Sequence, residues 1–184
     1  TLQLIEFHAG KLLKKEKMMG AISLSAKVEG SGLTMEALDT QINLKVSSFI
    51  YQGYTYNDFV LNGTMEKYFF SGTAQLEDEN LNLKLDGDLD YNGQIPRYHF
   101  KFELKNADFK ALKLSERPLR ARGTLDVDLA TSDFKVINGD LDIRKVAIYN
   151  GKDMYAVDSL LFASIDQEGQ SEISIRSDIL DGNF

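Results

Sequence analysis

The aspartates at positions 86, 88 and 90 have the alternate spacing with which a calcium-binding loop begins. An EF-hand loop that started at Asp86 would need glycine at its sixth position and a bidentate glutamate at its twelfth. Those positions hold Tyr91 and Arg97, so the match fails. In a β-strand the three carboxylates would share one face, about 6.8 Å apart in steps of two. The sequence therefore predicts a solvated strand face here and no metal site.

The other acid–base candidates lack the partners that catalysis needs. Carboxylate pairs recur at Asp126 and Asp128 and at Asp140 and Asp142, and the apolar residue inside each pair is typical of a strand with one polar face. The chain has two histidines, and neither completes a Ser-His-Asp order or a metal-ligand spacing. No cysteine, phosphate-binding loop or dinucleotide fingerprint occurs. We therefore predict a protein that is not an enzyme and that carries no cofactor.

Composition limits the partners. The net charge of −7 argues against nucleic acid, because neutralising phosphates needs clustered lysine and arginine. The one basic cluster lies near the N-terminus among Leu12, Leu13 and Met18, and we interpret it as a solvated helix face rather than as a contact with an anionic membrane. The four lysines of this cluster are Lys11, Lys14, Lys15 and Lys17.

No apolar run approaches the length of about 18 residues that a membrane-spanning helix needs. The chain starts with Thr1 and ends without a closing turn. We therefore expect residues 1–184 to be a single β-rich segment of a longer protein, whose anchor or export signal lies elsewhere.

A short phrase occurs five times, namely a glycine, then threonine or aspartate, then an apolar residue or alanine. Each copy lies in a stretch that alternates apolar and polar residues. A glycine on the apolar side of a strand leaves room where the strand bends or another backbone approaches. The phrase therefore predicts one sheet that curves repeatedly. The copies begin at Gly63, Gly72, Gly87, Gly123 and Gly139.

Alternation between turn signals predicts about nine or ten strands. They cover residues 42–49, 56–65, 68–76, 81–91, 97–106, 119–129, 136–149, 154–164 and 171–179. Helical turns are predicted within 10–19, 34–38 and 108–112, and these are too short for the crossovers of a parallel sheet. The predicted fold class is all-β, a long, curved, mainly antiparallel sheet that forms a trough, with a few short helical turns.

Such a sheet has an apolar face that something must cover. Two sheets could close on each other as a sandwich. Otherwise the apolar inside of the trough meets lipid or another segment of the same long chain. The seven aromatic residues between positions 51 and 70 fit either an ordinary sheet core or a lining for acyl chains. The groove residues that strand parity predicts are Leu81, Leu83, Leu85, Leu89, Tyr98, Phe100, Phe102, Leu104, Leu125, Val127 and Leu129.

Glycine and turn placement over most of the chain resembles the AsmA/TamB group, in particular TamB-like proteins of the Bacteroidetes type. The stretches that carry the resemblance are 7–13, 20–24, 28–34, 51–56, 61–64, 70–72, 77–81, 85–87, 106–112 and 177–182. The resemblance implies a β-taco fold in a long periplasmic protein that is anchored in the inner membrane. It also implies phospholipid movement to the outer membrane and assembly of outer-membrane proteins with a barrel partner. The family has no catalytic motif to transfer.

Two alternatives remain open from the sequence. A closed β-sandwich that serves as a binding or adhesion module, without lipid, would fill its inner faces with its own side chains. A piece of an outer-membrane barrel would turn an apolar band outward between aromatic girdles, which fits the irregular aromatic positions and the acidic composition less well.

Overall fold

The computed structural model describes residues 1–32, 34–132, 137–167, 170–178 and 181–183. Within them the chain forms twelve strands and one four-residue helix, α1 (Ala9–Leu12). The strands are β1 (Leu2–His8), β2 (Met19–Ser31), β3 (Asp39–Tyr51), β4 (Tyr54–Glu66), β5 (Phe69–Glu77), β6 (Leu81–Asp90), β7 (Arg97–Asp108), β8 (Arg120–Ala130), β9 (Asn138–Tyr149), β10 (Met154–Gln167), β11 (Gln170–Ser177) and β12 (Asp181–Asn183).

All twelve strands belong to one open sheet, in which each strand pairs antiparallel with its neighbours in sequence. The predicted all-β class and the long antiparallel sheet are therefore confirmed. The nine predicted strands correspond to β3 to β11, although the predicted positions 136 and 179 lie outside the described residues. The prediction missed β1, β2 and β12. The sandwich architecture is wrong, because the strands form one sheet and not two.

The predicted helical turns are small. Of the stretch 10–19, only residues 10–12 are helical. They belong to α1 (Ala9–Leu12), which begins one residue earlier than predicted. Residues 34–38 and 108–112 each form a hydrogen-bonded turn, through Ala37 N to the Thr34 carbonyl at 3.1 Å and through Leu112 N to the Asp108 carbonyl at 3.0 Å.

Strand register gives the sheet one apolar and one polar face, because residues that pair across strands point to the same side. One row of paired residues is apolar over eight strands, and we call its side the apolar face. This row is Leu44, Leu61, Ala74, Leu85, Phe102, Leu125, Ile143 and Leu160. One residue away, the row Gln75, Lys84, Glu103, Thr124, Arg144 and Ser159 is polar or charged on the other face.

The sheet is a single layer, since extensive contacts among the described residues join only consecutive strands and α1 to β2. Most side chains of the apolar face are accordingly half-buried. The buried hydrophobic residues of the described chain are only Val46, Tyr56, Leu76, Ala107, Leu112 and Val127. Without a facing layer, Val127 at 3% exposure is covered by neighbours in its own sheet, as is typical of a face that curves inward.

The best-covered part of the apolar face lies under the connection between β7 and β8, residues 109–119. Leu112 of this connection is 1% exposed and packs with Tyr56 and Leu76, and we call these three residues the end cluster. The Phe49 ring stacks on Tyr56 with centroids 4.7 Å apart. The Lys113 ammonium donates a hydrogen bond to the Gly53 carbonyl in the β3–β4 turn. The connection therefore bends back over β6, β5 and β4.

A buried carboxylate joins the turns beside the end cluster. Asp78 accepts hydrogen bonds from the Tyr54 hydroxyl, from Asn57 N at 3.1 Å and from Asn80 N at 3.0 Å. Burial raises the pKa of Asp78, but the hydrogen bonds together outweigh burial, so its pKa lies below the ordinary value. Asp78 therefore remains charged and tied to both turns at neutral pH.

We expect Leu112→Ala to lower the free energy of unfolding by about 2–5 kcal/mol, because it leaves a cavity in the end cluster. Leu114→Ala is the matched control two residues away, since Leu114 is 43% exposed. The control should change stability by less than about 0.5 kcal/mol. Urea unfolding followed by circular dichroism measures both. Equal stability of the two variants would contradict the packing of this connection on the sheet.

Candidate functional site

The eleven residues that parity predicted for a groove all lie on the apolar face. Register places Leu85 opposite Phe102 and Phe102 opposite Leu125, and the same rows contain the other candidates on β6, β7 and β8. Ten of the eleven side chains are half-buried and Val127 is buried. The face therefore remains partly accessible along these three strands.

Two of the predicted groove residues already have partners of their own. Leu81 and Leu83 pack against the end cluster, together with Phe59. Of the aromatic residues that crowd the β3–β4 and β4–β5 hairpins, Tyr56 is 4% exposed and Tyr54 meets it edge-on at 4.8 Å. This part of the aromatic group forms an ordinary core at one end of the sheet, which was one of the two interpretations of the sequence.

Away from the end cluster, the apolar face contains a hollow of about 240 Å³, which we call the glycine hollow. Its exposed lining is entirely apolar. Three predicted groove residues line it, namely Leu85, Leu89 and Phe100. The other lining residues are Leu61, Phe70, Gly72, Thr73, Ala74, Gly87 and Asp88.

A row of glycines crosses the apolar face at this hollow, and Gly72 and Gly87 of this row line it. Gly63 pairs with Gly72, and Gly72 pairs with Gly87, so three of the five repeated phrases align across β4, β5 and β6. The Phe70 ring lies over two of them, because a Cβ added at Gly63 or Gly72 would fall 2.7 Å or 2.9 Å from that ring. Phe100 is the partner of Gly87 on the next strand. The phrases therefore face the apolar side, as predicted, and they leave space between two aromatic rings.

The remaining two phrases also face the apolar side. Gly123 pairs with Leu104, and Gly139 pairs with Leu129. Gly123 lies at the register shift between Arg122 and Thr124 in the pairing of β8 with β9. All five glycines therefore occupy positions on the apolar face.

The size and the apolar exposed lining of the hollow match an apolar group. Its volume exceeds the roughly 150 Å³ of an apolar cavity that stays dry and binds benzene. Among the described residues, no group of three or more His, Asp or Glu side chains is arranged to hold a metal ion. A short aliphatic or aromatic segment of a ligand matches this lining best.

The polar face holds the carboxylates that first suggested chemistry. Asp126 pairs with Asp142 across β8 and β9, and Lys101 approaches Asp126 at 3.6 Å. Arg144 forms an ion pair with Asp142 at 2.5 Å. His99 lies 4.0 Å from Asp126. These exposed pairs are the solvated ladder that the alternation predicted, and each contributes little to stability.

The sequence analysis missed Leu61, Phe70 and Ala74 as groove residues. The same parity rule applied to 56–65 and 68–76 would have placed all three on the apolar face. Parity does not predict the register between strands, and this register aligns Gly63, Gly72 and Gly87 in one row.

Comparisons with protein-family models, with curated proteins and with solved structures found no match to this chain. Within the described ranges, the structure also contains no helix with the length and apolar character needed to cross a bilayer.

We expect Gly87→Ala to lower the free energy of unfolding by about 1–3 kcal/mol, because the added Cβ overpacks the site. That Cβ would lie 2.3 Å from the His99 carbonyl oxygen, which is backbone and cannot move aside easily. Gly93→Ala is the control, since its Cβ would meet no atom closer than 3.4 Å. Thermal unfolding compares the two variants, and a Gly87 variant as stable as the control would refute the close approach of β6 and β7.

Proposed function

We propose that this chain is a non-enzymatic module whose apolar face holds the acyl chains of phospholipids. In this proposal it is a periplasmic segment of a TamB/AsmA-like envelope protein that is anchored to the inner membrane. The full protein then carries phospholipid between the inner and outer membranes and supports the assembly of outer-membrane proteins. The observation that carries the proposal is an apolar face that runs across successive strands and that no second layer of the described residues covers.

The energetics favour an apolar cargo. Transfer of a methylene from water to an apolar environment is worth about 0.8 kcal/mol. The half-buried side chains of the apolar face gain further burial when a ligand covers them, so both partners lose contact with water. The driving force is non-directional, which suits acyl chains that differ in length.

The glycine hollow is the place where this binding is expected to be strongest. Phe70 and Phe100 border it, and Gly72 and Gly87 line it. An acyl segment between the two rings would contact apolar atoms on several sides. At the end cluster, by contrast, Leu112 already covers the face, so a chain would not bind there without displacing it.

The parts of the proposal that concern the whole protein rest on the resemblance in glycine and turn placement. The neighbouring segments of the same long chain would then extend the sheet, and a barrel protein of the outer membrane would be a further partner. A binding module for a different apolar ligand is the alternative, and lipid identification separates the two.

We expect Ala74→Phe to reduce bound phospholipid by about tenfold, because the new ring fills the glycine hollow. A tenfold loss corresponds to about 1.4 kcal/mol, which equals the contact of fewer than two methylenes. Native mass spectrometry of protein purified from a bacterial envelope fraction measures the lipid-bound fraction directly.

Gln75→Phe is the matched control, since Gln75 is the next residue of β5 and lies on the polar face, opposite Lys84. This variant should keep its lipid. Absence of phospholipid from the unaltered protein, or equal lipid in both variants, would contradict the proposed function.

A further inference from the structure

Because the strands pair antiparallel in sequence order, alternate connections lie at the same end of the strands. One rim therefore contains the connections β1–β2, β3–β4, β5–β6, β7–β8, β9–β10 and β11–β12, of the last of which only Asp178 is described. The hydrogen bond from Gln52 N to the Met18 carbonyl, at 2.7 Å, links the first two of these connections directly. We call this side of the sheet, formed by the strand connections, the basic rim because of the charges that it carries.

The described connections of the basic rim hold eight lysines and arginines against six acidic residues, in a chain whose net charge is −7. One of the six acids is Asp78, which is buried and accepts a hydrogen bond from Asn80 N within the rim. The other five are Glu16, Glu79, Glu116, Asp153 and Asp178. The cations are Lys11, Lys14, Lys15, Lys17, Lys110, Lys113, Arg117 and Lys152, all exposed.

In the part of the chain that the structure describes, none of the eight cations forms an ion pair with a carboxylate. The opposite rim differs, because its described connections carry a single cation, Lys67, and a single acid, Glu36. Among the described connections, the cations therefore lie mainly on one rim.

Exposed apolar side chains lie near the cations at three connections of this rim. They belong either to the connection itself or to the adjoining end of a strand. Leu12 is 72% and Leu13 53% exposed among the four N-terminal lysines. Leu114 is exposed between Lys113 and Arg117. At the tip of the β9–β10 hairpin, Met154, Tyr155, Ile148 and Tyr149 are exposed around Lys152.

We propose that the basic rim docks on the surface of an anionic phospholipid bilayer. Lysines and arginines attract acidic headgroups, while neighbouring leucine, methionine and tyrosine side chains enter the boundary between headgroups and acyl chains. A nucleic acid would use the cations but would leave Leu12, Leu13 and Met154 in water, so a bilayer accounts for more of the rim. This inference does not depend on acyl chains entering the groove.

The topology changes the interpretation of the N-terminal lysines. In the sequence they form an isolated cluster, for which a solvated face is the simpler interpretation. In the fold they lie on the same rim as Lys110, Arg117 and Lys152, and α1 has only four residues. The cluster therefore extends along the rim and not along one helix.

Vesicle flotation tests the proposal with the intact chain. Vesicles of phosphatidylcholine mixed with phosphatidylglycerol should carry the protein to the top of a density gradient at low salt, and vesicles of phosphatidylcholine alone should not. Because the average charge of the protein is repelled by such vesicles, binding itself indicates a local positive surface. Failure to float with the anionic vesicles would overturn the proposal.

The combined substitution Lys11→Gln, Lys15→Gln and Lys17→Gln should weaken partition to the anionic vesicles by about a hundredfold, at roughly a fivefold loss for each cation near the surface. The matched control is Lys45→Gln, Lys67→Gln and Lys84→Gln, which changes net charge equally at positions away from the rim. The control should float like the unaltered protein. Equal loss in both variants would assign binding to net charge and overturn the proposal.

A second pair of variants tests the apolar contribution at constant charge. Leu12→Gln with Leu13→Gln should reduce the vesicle-bound fraction several-fold, and Val28→Gln with Ile95→Gln should not, although Val28 and Ile95 are also exposed. Unchanged flotation of the Leu12 and Leu13 variant would overturn the insertion of the rim. If the Leu12 and Leu13 variant no longer floats but still carries phospholipid in native mass spectra, docking by the rim and lipid binding by the apolar face are separate properties. The inference and the proposed function are thus tested independently.

Discussion

The structure depends on one constraint, which is that a single layer of β-sheet cannot cover its own apolar face. In a sandwich the two inner faces bury each other. Here extensive contacts join only consecutive strands, so the row that contains Ala74, Leu85 and Phe102 has no facing layer among the described residues. Inward curvature and bulky neighbours bury a few residues, such as Val127, and leave the others half-exposed. A ligand or another polypeptide segment is the remaining way to remove this surface from water.

The chain covers one part of this face itself and leaves another part open. At the end cluster, Leu112 is inserted beside Tyr56 and Leu76, and Asp78 ties the adjacent turns together. Nearer the opposite rim, the row of Gly63, Gly72 and Gly87 creates space that Phe70 fills only in part. The same sheet thus has a stabilised end and an accessible hollow.

Alternation was enough to predict β3 to β11, because successive residues of these strands face the polar and the apolar side of the sheet in turn. It failed for β1, where a bulge between Leu4 and Phe7 interrupts the period, and for β2, whose first half is rich in glycine, alanine and serine. Register places the predicted groove residues Leu85, Leu89 and Phe100 on the apolar face, and their contact with lipid stays a prediction. The glycine hollow was not, since it arises from register across three strands, and the role of Leu112 depends on a connection that bends back over the sheet.

The most direct test of an acyl-binding face is a crystal structure of the protein with a phospholipid that is brominated on its acyl chains. We expect anomalous bromine peaks on the apolar face, between Phe70 and Phe100 and above Gly72 and Gly87. Bromine peaks confined to the polar face, or a lipid-free apolar face covered by the chain's own residues, would contradict this expectation.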